Sequence, residues 1–121
     1  MKLNQLMEKI DRLKPNAFDN MEKTSWISNL DGRFNMEILQ KENWDGYAYP
    51  EDGDKFLLIP PPFDNIYEYY LSAMIDYYNR EYNSYNNTIA LFNEGVDEYL
   101  KYLRRSHLPN QPTRVLLGGI L

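Results

Sequence analysis

Apolar residues recur at steps of three and four along most of this chain, and the breaks in that rhythm mark out four helices. Leu3, Leu6, Met7, Ile10 and Leu13 share one face of a helix over 3–14, which Pro15 stops by denying helical backbone angles to the residue before it. Asp19 is placed to cap a second helix over 19–40. Trp26, Ile27, Leu30, Phe34, Ile38 and Leu39 keep helical spacing across Gly32, so one helix is expected through the glycine; the alternative is a break at Asp31-Gly32, a common turn dipeptide. Ile66, Tyr67, Tyr70, Leu71, Met74, Ile75 and Tyr78 mark a third helix over 65–80, capped by Asp64, with Glu68, Asp76 and Arg80 on its outer face. Asn79 to Ser84 read as a tight polar turn, which makes a hairpin with the fourth helix, over 85–105. That helix carries Tyr85, Ile89, Phe92, Val96, Tyr99 and Leu103 in a nearly heptad seam. The seam fits a coiled-coil partner or helix three, and the matching stripe on helix three favours the second.

The predicted fold is therefore all-α. It is a small bundle of about four helices over residues 1–108, with a long acidic loop, followed by an extended C-terminal tail over 109–121. Trp26, Leu30, Leu71, Met74, Ile75, Ile89, Phe92 and Val96 are expected in its core.

The loop is KENWDGYAYPEDGDKF, residues 41–56, with Trp44, Tyr47 and Tyr49 as candidate anchors. Asp45, Glu51, Asp52 and Asp54 invite a calcium reading, but their spacing misses the alternate ligands, central glycine and terminal glutamate of an EF-hand. No metal and no cofactor are expected. Leu57-Leu58-Ile59 either pair as a short strand or pack down. Pro60-Pro61-Pro62 is expected to be extended, as a rigid lead into the third helix rather than a ligand for a groove-type domain.

Composition narrows the classes. The 121 residues make one domain, and aromatics reach 15%, eleven of them tyrosines. Tyrosine pairs an apolar ring with a polar tip, which suits both a core edge and an interface. The absence of cysteine removes disulfides, thiolate chemistry and cysteine zinc sites. No apolar run reaches the length of a membrane span, and MKLNQLMEKIDRLK is charged throughout, unlike a signal peptide. The single histidine, His107, is expected to cap a helix end or face solvent. No glycine-rich phosphate loop and no supported nucleophile–base set is present, so no enzyme activity is expected.

Charge is unevenly placed. The net charge is −5, yet residues 101–121 hold Lys101, Arg104, Arg105 and Arg114 with no acid, leaving −9 over residues 1–100. An acidic body argues against sequence-independent nucleic-acid binding. The basic end fits either the negative end of a helix or the acidic body of another copy. Beyond it, Val115, Leu116, Leu117, Ile120 and Leu121 make the tail apolar. Such a tail fits strand addition to its own domain or to a neighbour; it is expected to be mobile in the free subunit and ordered in the assembly, against another subunit or a partner protein.

The run YAYPEDGDKFLLIPPPFDNIYEYYLSAMIDYYNREYNSYNNTIALFN, with WISNLDGR upstream and RRSHLP downstream, resembles small head–tail connector (adaptor) proteins of tailed phages and prophages of Gram-positive bacteria. The resemblance spans about residues 3–110 and stops short of the terminal residues. It implies a mostly helical virion protein of the neck, assembled in the host cytoplasm as a ring, commonly of twelve subunits. Its partners would be further copies of itself, the portal protein, and a downstream neck (stopper) or tail protein. DNA would pass through the ring without being read. The alternative from the residues alone is a small helical protein-binding or regulatory module that dimerises through helix four.

Overall fold

A computed structural model describes residues 1–106, and within them the chain forms four helices and no strand. These are α1, Leu3–Leu13; α2, Asn20–Arg33, which continues as a π-helical turn, Phe34–Ile38; α3, Asn65–Tyr78; and α4, Tyr82–Ser106. No helix among the described residues is long and apolar enough to cross a membrane. The domain division at 108 and the tail lie outside the described residues.

The apolar stripes pack where their spacing places them. Leu3, Leu6, Met7 and Ile10 of α1, Trp26, Ile27, Leu30, Phe34 and Ile38 of α2, and Ile66, Tyr67, Leu71 and Ile75 of α3 are buried in one core with Phe92, Val96, Tyr99, Leu100 and Leu103 of α4. The seam of α4 faces α3, and Tyr70 meets Phe92 at 5.2 Å between ring centres. Gly95 lets the two helices approach closely there, since a Cβ on it would stand 2.7 Å from the Cγ2 of buried Ile66.

Several expected features differ. Leu13 is exposed because α1 ends with it, and Met74 and Ile89 are half-buried at the rim of the core. Helix two does run through Gly32, but beyond Arg33 its bonding widens: the Leu39 N–H donates to the Phe34 carbonyl at 3.1 Å, five residues back. Gln40 then takes a left-handed conformation, φ 56°, and ends the helix. At the hairpin α4 starts at Tyr82, so the turn is only 79–81, with left-handed Arg80 (φ 61°) reversing the chain. Asp64 stands at the start of α3 but caps nothing with its side chain, whereas Asp19 accepts the Glu22 N–H at 2.8 Å as expected. The three prolines are not extended: the Phe63 N–H donates to the Pro60 carbonyl at 3.0 Å and closes a turn.

The long loop is stitched to the helices at several places. The Trp44 indole N–H donates to the Ser28 carbonyl at 3.0 Å, and its ring lies on Gly32, where a Cβ would come within 2.9 Å of it. Further on, the Gly53 and Lys55 carbonyls accept the Asn4 and Leu3 N–H groups at 2.9 and 3.0 Å, satisfying two donors that the first turn of a helix leaves open. Leu57 and Ile59 pack down into the core. Tyr49 accepts from the Asn20 amide at 3.2 Å.

Asp31 makes a further attachment. It is fully buried, and its carboxylate accepts from the Tyr47 phenol at 2.5 Å, the Tyr67 phenol at 2.7 Å and the Leu58 N–H at 3.2 Å. Tyr67 in turn accepts the Ile59 N–H at 2.8 Å. Burial raises the Asp31 pKa, and the Tyr47, Tyr67 and Leu58 hydrogen bonds oppose the rise. Both phenols are held above their ordinary value, first by burial and then by the Asp31 charge.

Replacing Phe92 by Ala should lower stability by about 3–5 kcal/mol in a denaturant melt, as for other buried phenylalanines; a loss under about 1 kcal/mol would take this face out of the core. A second expectation concerns pH. With its folded pKa raised, Asp31 contributes most to stability below the ordinary carboxylate value of 3.8, and that contribution is lost as pH rises through the folded pKa. The stability advantage of the native chain over Asp31→Asn should therefore shrink as urea melts are stepped upward from pH 3.8. An advantage that grows with pH would show that the three donors outweigh burial.

Candidate interaction surface

The α3–α4 hairpin carries the described part of the expected interface at one end and an unexpected surface at the other. At the C-terminal end of α4, Lys101 is exposed and pairs along its own helix with Asp97 at 3.0 Å. Arg105 is exposed and Arg104 half-buried, and neither makes an ion pair among the described residues. Both stand in the last helical turn, where positive charge complements the helix dipole. Arg114, Val115, Leu116, Leu117, Ile120 and Leu121 lie outside the described residues, as does His107.

The opposite end is a cluster of tyrosines. Tyr77, Tyr78 and Tyr82 are each about half exposed, at 50%, 52% and 54%. Tyr77 sits at the middle, with ring centres 5.5 Å from Tyr78, 6.2 Å from Tyr82 and 5.5 Å from Tyr85. Tyr78, expected in the core, instead stacks its inner face on Trp26 at 5.3 Å, and Phe18 meets Trp26 edge-on at 5.3 Å. One side of the cluster is thus packed on the protein and the other faces water.

Buried charges hold this end in shape. Asp76, expected on the outer face of α3, is fully buried. It pairs with Lys14 and accepts the Ser84 hydroxyl at 2.7 Å, while its carbonyl accepts the Glu81 N–H at 2.9 Å. Lys23, also buried, pairs with Asp11 and donates to the Asn16 side chain at 3.2 Å. The paired tyrosines were the available signal for the exposed cluster, because two adjacent helical residues point about 100° apart and both cannot face one core.

A groove of about 330 Å³ runs between α2 and the loop, lined mainly by Thr24, Ser25, Ser28, Asn29, Tyr47 and Tyr49. Its one carboxylate is Glu51. Asp31, whose pKa burial raises, is sealed beneath the loop and reaches no solvent. Searches against protein-family models, curated proteins and solved structures find no match to this chain.

Proposed function

We propose that this chain is a head–tail connector of a tailed phage or prophage, a ring subunit beneath the portal that joins capsid to tail. The observation that carries the reading is the pair of unlike ends on the α3–α4 hairpin. Tyrosines crowd one end, and at the other stand arginines that make no ion pair among the described residues, about 36 Å away along the 25 residues of α4. A ring of identical subunits needs two unlike faces, because a head-to-tail contact repeated by rotation closes on itself. The resemblance of the 47–93 run to connector proteins supports the same reading, and with it a ring commonly of twelve copies.

Such a subunit works by fit and charge. The acidic body of one copy attracts the basic α4 end of the next, and the portal and a downstream neck or tail protein take the two faces of the ring. DNA passes through without being read, since residues 1–100 carry −9 and offer phosphate no dense basic surface. The alternative, a regulatory module that pairs through helix four, has less support. Past Tyr82, Leu91 is the one large apolar side chain that α4 exposes among the described residues.

The test is the mass of the purified chain mixed with its phage's portal. A portal-bound ring is expected, and a chain that stays a monomer or dimer beside free portal would contradict the reading. Arg104→Glu with Arg105→Glu should weaken the ring at low salt without abolishing it, since exposed pairs contribute under about 1 kcal/mol each and are screened. Deleting residues 110–121 should leave the melting temperature nearly unchanged and abolish stable incorporation; a truncated chain that melts much lower yet still assembles would place the tail in its own core.

A further inference from the structure

We propose that the tyrosine end of the α3–α4 hairpin is a docking site for the proline segment of a second copy of this chain, Leu108 to Arg114. The proposal builds on the ring reading by naming both halves of the contact between copies.

The segment reads LPNQPTR, with Pro109 and Pro112 three residues apart and Arg114 two further on. In an extended strand with three residues per turn, that spacing puts both proline rings on one edge. Proline-rich strands of this kind dock on exposed aromatic rings, which take the flat pyrrolidine between them without having to order a flexible partner. Tyr77, Tyr78 and Tyr82 supply such rings, half exposed and set 5.5–6.2 Å apart about Tyr77. Tyr78 is held from behind by Trp26, Tyr77 packs on Tyr78 and Tyr85, and the Lys14–Asp76–Ser84 contacts tie the two helices together at the turn, which limits the conformational freedom left to lose on binding. Beside them Glu81 is exposed and makes no ion pair among the described residues, which gives Arg114 an acid to meet. Arg80 stands next to Glu81, so the rings carry the contact and the charge pair orients it.

Chain length excludes the same copy as the source. Pro112 is six residues beyond Ser106, a reach of at most about 22 Å fully extended. The tyrosines lie about 36 Å back along α4. The segment therefore meets the tyrosines of another molecule, and a contact from the end of one hairpin to the far end of the next is heterologous, the kind that closes rings.

The chain has no cysteine, so single cysteines can report the contact. One full-length chain carries Asn83→Cys, at the exposed start of α4, and another carries Thr113→Cys. The two are mixed and treated with a short bismaleimide, both as concentrated free protein and with portal. Cross-linked dimer is expected from the mixture well above either chain alone. Tyr77→Ser with Tyr82→Ser in the first chain, or Pro109→Ala with Pro112→Ala in the second, should each lower the yield at least about tenfold, the loss of two modest interface anchors. Both tyrosines are half exposed, and an unchanged melting temperature confirms that the substituted chain is folded. Yields that ignore these substitutions overturn the proposal, as does a doubly substituted chain that cross-links to itself at high dilution. Cross-linking in free protein without portal binding sustains this contact and removes the connector reading. Portal binding without the cross-link does the reverse.

Discussion

A carboxylate with no cation beside it, fully enclosed, sets the terms for much of this structure. Asp31 makes no ion pair among the described residues, and an uncompensated buried charge costs several kcal/mol. Three donors make it tolerable: two phenols and one backbone N–H. They come from three parts of the chain, the middle of the loop (Tyr47), its apolar end (Leu58) and the first turn of α3 (Tyr67). Each hydrogen bond to a charged group contributes about 1.5–3 kcal/mol. The carboxylate thus draws the loop against α2 and α3 at one point, and Tyr67 extends the hold to Ile59.

The hairpin inherits its shape from that arrangement. Tyr67 fixes the start of α3, and the close approach at Gly95 sets α4 along it. Ten residues beyond Tyr67, Tyr77 emerges at the far end, where the Lys14–Asp76 pair, Ser84 and the stack of Tyr78 on Trp26 hold the turn. Two buried acids on neighbouring helices therefore do different work. Asp31 closes the loop over the core, and Asp76 presents the tyrosines. Neither meets solvent, so each acts on function through position alone.

The helices were legible because their evidence is local. A stripe such as Phe92, Val96, Tyr99 and Leu103 needs only the helical period to be read, and it packs on α3 as that period implies. Passage through Gly32 was legible for the same reason, although the glycine's purpose, a seat for the Trp44 ring, depends on a residue twelve positions away. The buried charges were not legible. Asp31, Lys23 and Asp76 carry side chains that normally face water, and the partners that pay for their burial lie as far as 36 positions away for Asp31 (Tyr67) and further still for Asp76 (Lys14). The turn at 79–81 was misjudged by its polarity: Tyr82, Asn83 and Ser84 look like turn residues, but left-handed Arg80 reverses the chain in fewer. Of the expected interface, Lys101, Arg104 and Arg105 were legible as charge, while the tyrosine cluster opposite them needed the packing of Tyr78 on Trp26 to show which rings remain free.

Native-state hydrogen exchange in Tyr67→Phe tests the Asp31 network most directly. The substitution removes one phenolic oxygen, leaving the ring in place and depriving both the Ile59 N–H and the Asp31 carboxylate of a partner. A buried group left unpaired costs about 1–3 kcal/mol, so exchange at Leu58 and Ile59 should accelerate roughly 5- to 150-fold. That acceleration should exceed any change at Val96 in the α3–α4 seam, because the loop opens before the helices part. Leu58 and Ile59 exchanging no faster, relative to Val96, than in the native chain would show that the loop is held by its apolar packing and that Asp31 is a tolerated passenger.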